Sequence, residues 1–169
     1  MKITYPKSFW NIAEQIGTAR SVVNTKIKEN SPRFDRGVKN NHVNTLGIVG
    51  ELIVIDYLTE KNITFEMAQL IDFYPTKNPD LIIKNKRIDV KASKLNKDYS
   101  LNEAHLLVNK EAHQKGLNKI DLYWFVYIIN ETEAEFYFVD YDKVSQWEYK
   151  LMKYTDAYYN KILRIKNNE

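Results

Sequence analysis

The chain contains no cysteine, which excludes a disulfide scaffold, a thiolate zinc site and a cysteine nucleophile. Its three histidines, His42, His105 and His113, are scattered, so a His-rich metal cluster and an HExxH helix are excluded as well. Glycine (5) and proline (4) are scarce, and no Gly/Ser/Pro-rich linker, internal repeat or low-complexity tract divides the sequence. No apolar run approaches the roughly 18 residues that a bilayer-spanning helix needs. Met1–Trp10 lacks the apolar core of a signal peptide. The expectation is a cytoplasmic globular protein without a membrane partner, and 169 residues suit one domain, 1–169, with a sizeable core.

What is abundant is lysine, 20 against 5 arginines, with 17 residues each of asparagine and isoleucine. An AT-rich coding sequence produces the same bias, so lysine number alone carries no function. Its distribution says more. Residues 1–50 hold eight basic and three acidic side chains, a balance of +5, whereas residues 51–140 balance at −4 and residues 141–169 at +2. A basic arm on a mildly acidic body suits a polyanion such as nucleic acid, and a solvated surface helix fits the same numbers.

Helical spacing of Phe9, Ile12, Ile16, Val22, Val23 and Ile27 predicts a helix from Phe9 to Lys28, with Ser8 as N-cap and a stop at Asn30-Ser31-Pro32. A second helix is expected from His42 to Lys61, and a short strand at Ile63–Met67. Asp72–Pro79 reads as a loop. Two alternating runs, Asp80–Lys84 and Arg87–Ala92, predict a hairpin turning at Asn85-Lys86. Ser100-Leu101-Asn102-Glu103 matches a capping box and predicts a helix ending before Gly116. Leu122–Ile129 and Ala134–Val139 read as buried strands, and 142–169 as a C-terminal helix. The expected class is α/β, in three layers with a mixed central sheet flanked by helices.

The hairpin carries the chemistry. With its turn at Asn85-Lys86, Ile82 faces Asp89, Leu81 faces Val90 and Asp80 faces Lys91. Period-two alternation puts Leu81, Ile83, Ile88 and Val90 on one face and Asp80, Asp89 and Lys91 on the other. Cross-strand Cβ atoms lie roughly 5 Å apart, near enough for two carboxylates to share a divalent cation. A one-sided sheet with a charged, wet outer face fits too. In the second helix, Glu51 falls among Gly47, Ile48, Val54, Ile55 and Leu58. A carboxylate in an apolar stripe must coordinate a metal or be neutralised by a lysine or arginine. Gly47 and Gly50 cost helix stability and point to a close backbone approach.

Gly47-x-x-Gly50-Glu51, then Pro79-Asp80, then Asp89-Val90-Lys91 resembles the PD-(D/E)xK nuclease superfamily, the restriction-endonuclease-like fold. The resemblance covers about residues 43–140, leaving the basic helical arm 1–40 and the C-terminal helix outside it. It implies a metal-dependent nuclease, endonuclease before exonuclease, with DNA as the preferred substrate. Asp80 and Asp89 would then hold Mg²⁺ (or Mn²⁺) together with the main-chain carbonyl of Val90. Glu51 would complete the site directly or through water, and Lys91 would orient or activate the attacking water and stabilise charge on the phosphate. Ser93 shares the Lys91 face. The competing readings are a catalytically inactive nucleic-acid-binding or assembly module on the same fold, and an unrelated α/β domain with Glu51 far from Asp80.

Other residues point less clearly to function. His113, His105 and His42 fit structural places, and Trp124, Phe125, Tyr127, Tyr137 and Phe138 have the strand spacing of core residues. Tyr154, Tyr158 and Tyr159 suit either a partner or a homodimer contact. Arg33, Arg36 and Lys39 precede the Glu51 helix closely enough to flank the site and contact phosphates. Replacing all three with Ala should weaken nucleic-acid binding without altering sequence preference. The slope of log affinity against log salt should fall by roughly 0.9 per lost duplex contact, up to about 2.7. An unchanged slope would make the arm a solvated segment.

Overall fold

The computed structural model describes residues 1–27, 41–68, 70–71, 79–96, 100–117, 119–151 and 156–162. The chain is a mixed α/β structure. It opens with β1 (Lys2–Thr4), α1 (Ser8–Ile27) and α2 (Asn41–Glu60), followed by β2 (Glu66–Met67) and the hairpin β3 (Leu81–Ile83) and β4 (Lys86–Lys94). A single 3-10 turn at Leu101–Glu103 leads into β5 (His105–Asn109) and α3 (Lys110–Lys115). Then come β6 (Leu122–Ile128), β7 (Glu133–Asp140), α4 (Tyr141–Val144), β8 (Glu148–Leu151) and β9 (Asp156–Lys161).

Six strands form the main sheet in the order β1-β7-β6-β4-β3-β2. It is mixed, with β4 and β6 parallel and the other pairs antiparallel. Both of its faces are covered, which explains why Leu122–Ile128 is apolar without a break. Trp124, Val126 and Ile128 join Ile88 and Val90 in a core with Ile48, Val49, Ile53 and Val54 of α2. Tyr123, Phe125 and Tyr127 point the other way, into a second core with Leu106, Val108, Val144, Tyr158 and Ile162. That second face is covered by a three-stranded sheet, β5-β9-β8.

Three local expectations are corrected. The capping box at Ser100 is real, since Glu103 accepts from the Ser100 N–H (3.1 Å) and hydroxyl (2.7 Å). It caps one 3-10 turn and not a helix reaching Gly116. Ala104, Leu106 and Val108 are buried with period two, and β9 supplies the partner strand that makes that alternation win. Of the expected C-terminal helix 142–169, the described residues show as helical only the part of α4 from Asp142 and the single residue Ile162, while Glu148–Leu151 and Asp156–Lys161 are strands. Val144 packs in the second core and Trp147 lies against it, so helical spacing there reflected burial and not a long helix.

The third correction is the hairpin register. Lys84 (φ 48°) and Asn85 (φ 65°) form the turn, pairing Ile83 with Lys86, Ile82 with Arg87 and Leu81 with Ile88. A left-handed pair is what the tight hairpin turn requires, and asparagine tolerates it well. Moving the turn back by one position shifts each pairing by two, so every side chain keeps its expected face. What changes is the pairing itself. One residue beyond the ladder, Asp80 now comes level with Asp89 instead of Lys91.

Helix α2 lies directly on this strand. A Cβ on Gly50 would stand 2.6 Å from the Ala92 Cβ, so glycine here sets the distance between helix and sheet. Among the described residues, a Cβ on Gly47 would meet only the Arg20 Nη1, at 3.8 Å. Gly50→Ala is therefore expected to destabilise the fold by about 1–3 kcal/mol through overpacking. Gly47→Ala should be neutral or stabilising by up to about 1 kcal/mol through helix propensity. Denaturant titration checks both, and Ala92→Gly should restore the Gly50→Ala variant. Equal losses from the two glycine replacements would contradict the close approach.

Candidate active site

The site is built where β3 ends and β4 continues. Past Ile88, β4 has no further β3 partner, while its other edge pairs with β6 as far as Lys94. Asp80, just before β3, reaches across this opening, and its Oδ2 accepts from the Val90 N–H at 2.7 Å. The N–H and C=O of a strand residue point to the same edge, so the Val90 carbonyl also belongs to this opening. Asp89 and Lys91 flank Val90 on the opposite sheet face, and the Lys91 Nζ forms an ion pair with the Asp89 Oδ2. Lys91 also lies over the Tyr123 ring, 5.8 Å from its centroid. Ser93 follows on the same face of β4, level with Tyr127.

Glu51 enters from α2, one residue after the Gly50 contact. It lines the same small cleft as Asp80, with Leu70 and Leu81. Its partner is a residue that sequence reasoning did not single out, Arg20 of α1. The Arg20 Nη1 donates to Oε1 at 3.0 Å and Nη2 to Oε2 at 3.1 Å, while Nε donates to the Leu70 carbonyl at 2.7 Å. The signal available in sequence was a lone arginine on a helix otherwise basic only through Lys26, with Glu51 needing a counter-charge.

Three carboxylates and two cations thus share one electrostatic environment. Burial, then Asp89, push the Asp80 carboxyl up to about 7, with Glu51 adding to the effect and Lys91 and the Val90 N–H opposing it. Burial likewise raises Glu51 against the pull of Arg20 and Lys91. Burial by itself would lower Lys91, but Asp89, Asp80 and Glu51 together carry it above the usual lysine value. The cluster therefore has an anionic excess that one hard cation would relieve, and its donors are oxygens. That donor set fits magnesium or manganese. Among the described residues no three Asp, Glu or His side chains already converge as a ligand group. Glu51 is turned to Arg20, and Asp89 to Lys91.

The remaining candidates fall elsewhere. Arg33, Arg36 and Lys39 lie outside the described residues, as does Tyr154. His113 is buried, its Nδ1 2.9 Å from the Tyr123 hydroxyl and its Nε2 2.9 Å from the Ser145 hydroxyl. Burial holds it below the usual histidine value, and its ring stacks on Tyr141, a structural placement. Trp124, Phe125, Tyr127 and Tyr137 are core, while Phe138 is exposed. A separate cavity of about 520 Å³ lies between β1 and α2, lined by Ile3, Asp56, Tyr57 and Lys61.

The Asp80 environment sets a pH dependence. Its folded-state value, about 7, lies above the 3.8 of an ordinary aspartate. Its contribution to stability is therefore fully present below about pH 4 and is lost as pH rises through 7. In EDTA, Asp80→Asn should raise the melting temperature at pH 8 by several degrees and change it little at pH 4, because the amide oxygen still accepts from Val90. Equal destabilisation at both pH values would contradict the buried-anion account.

No protein-family model, no curated protein and no solved structure matches this chain.

Proposed function

We propose that this protein is a metal-dependent nuclease of the PD-(D/E)xK type, hydrolysing phosphodiester bonds, with DNA as the preferred substrate and internal bonds as the preferred target. The observation that carries the reading is the convergence of Asp80, Asp89 and Lys91 around Val90 at the open edge of β4. The fold that goes with this reading is restriction-endonuclease-like.

Phosphodiester hydrolysis needs a water aligned opposite the leaving oxygen and neutralisation of the charge that builds on the phosphate. Asp80, Asp89 and the Val90 carbonyl would hold Mg²⁺, or Mn²⁺ in its place, which supplies a polarised water and a counter-charge when bound. Lys91 pairs with Asp89 and acts on Asp80 as well. Its raised proton affinity keeps the ammonium charged at neutral pH, which suits donation to a non-bridging phosphate oxygen and orientation of the water. It does not suit general-base work. On substrate binding Lys91 would exchange Asp89 for the phosphate, both being oxyanions. Glu51 contributes negative potential to the same cluster.

The second reading is a catalytically inactive nucleic-acid-binding or assembly module on the same fold. The observation on its side is that Glu51 and Asp89 each already have a cationic partner. Cleavage assays with Mg²⁺ and with Mn²⁺, on linear, circular, branched and single-stranded DNA and on RNA, separate the two. Activity is expected with either cation. Asp89→Asn and Lys91→Met should each reduce it by roughly 10²-fold or more while leaving the fold intact. Variants that cleave at the parental rate, or a parent that binds DNA but never cleaves it, would overturn the enzymatic reading.

A further inference from the structure

We propose that Arg20 and Glu51 form a neutral unit that stays outside the coordination sphere of the cation. The inference rests on the metal-site reading above and deepens it, assigning the ligands to Asp80, Asp89 and Val90 without Glu51.

Both oxygens of Glu51 accept from one guanidinium, at 3.0 and 3.1 Å, and this fork is the most directional arrangement an arginine and a carboxylate can make. The pair is largely buried, with 23% of the Arg20 side chain and 15% of the Glu51 side chain exposed. Turning Glu51 toward a metal would leave a buried guanidinium without its counter-charge, which is strongly destabilising. A Cβ at Gly47 would lie 3.8 Å from Nη1, an ordinary contact, so the ion pair does not depend on glycine there. In Gly47-x-x-Gly50-Glu51 it is the second glycine that a close contact requires, seating α2 on Ala92.

The third Arg20 donor anchors the pair. Nε holds the Leu70 carbonyl at 2.7 Å, and Leu70 borders the cleft shared by Glu51 and Asp80. One guanidinium therefore ties together α1, α2 and Leu70. Charge counting supports the assignment. With Asp80 ionised, Glu51, Asp80 and Asp89 against Arg20 and Lys91 leave one negative charge, and removing Arg20 with Glu51 leaves the same one.

That neutrality provides the test. Mn²⁺ binding is measured by calorimetry on the full chain, with circular dichroism confirming that each variant is folded. The double variant Arg20→Met/Glu51→Gln should bind Mn²⁺ within about threefold of the parent, because a buried ion pair exchanged for neutral groups perturbs its surroundings little. Asp89→Asn should lose most of the affinity. Arg20→Met alone should bind Mn²⁺ roughly tenfold more tightly, through the freed carboxylate and the extra negative charge. A merely structural tie would lower stability without raising affinity. If the double variant falls as far as Asp89→Asn, Glu51 is a ligand and the inference is overturned. If Arg20→Met folds and binds no more tightly than the parent, the inference is overturned too. A folded parent that binds no Mn²⁺ overturns the metal reading itself, and this inference with it.

Discussion

Period-two alternation along β4 is the constraint on which both the core and the charged cluster depend. Ile88 and Val90 belong to the core under α2, and Ala92 takes the close contact from Gly50. The residues between them, Asp89, Lys91 and Ser93, face the other side of the sheet. The contacts that fix the strand against α2 thereby fix where its charges point. A slip of one residue would bury Asp89 and Lys91 under the helix and turn Ile88 and Val90 away from it. The hydrophobic core consequently defends the register that the cluster needs.

The second organising feature is the ending of β3. A full-length partner strand would satisfy the β4 edge with backbone hydrogen bonds. Here the ladder stops at Leu81–Ile88, and the Asp80 carboxylate takes over by accepting from Val90. Burial at this edge, together with the negative charge of Asp89 and Glu51 that Lys91 only partly offsets, pushes the Asp80 carboxyl up to about 7. Like-charge proximity of this kind works against the folded state unless a cation or a proton joins it. Such tension is characteristic of sites that bind a ligand.

Much of this was legible in the residues. The two long helices, the hairpin and the buried strands follow from spacing and β-branched content, and their boundaries moved by only a residue or two in α1 and α2. Face assignment on the hairpin was robust because the true turn, Lys84-Asn85, shifts the pairing by two and preserves parity. The pairing of Asp80 with Asp89 was not legible, because neither Lys84-Asn85 nor Asn85-Lys86 is a strong turn dipeptide. The β5-β9-β8 sheet was missed for a different reason. Leu106 and Val108 gain their burial from β9, about fifty residues later in sequence, and local helix signals at Ser100 and Val144 outweighed a partner that spacing cannot reveal. The need of Glu51 for a counter-charge was visible. That Arg20 supplies it depends on the way α1 packs against α2, which a one-dimensional pattern does not encode.

The central claim is that the open edge of β4 is a cation site made by Asp80, Asp89 and the Val90 carbonyl. The most direct measurement is an anomalous difference map from crystals of the parental protein soaked in Mn²⁺. The account predicts a peak between the Asp80 and Asp89 carboxylates within bonding distance of the Val90 oxygen, with Glu51 still held by Arg20. A folded protein whose map shows no peak at this edge, or whose manganese sits elsewhere, would contradict it.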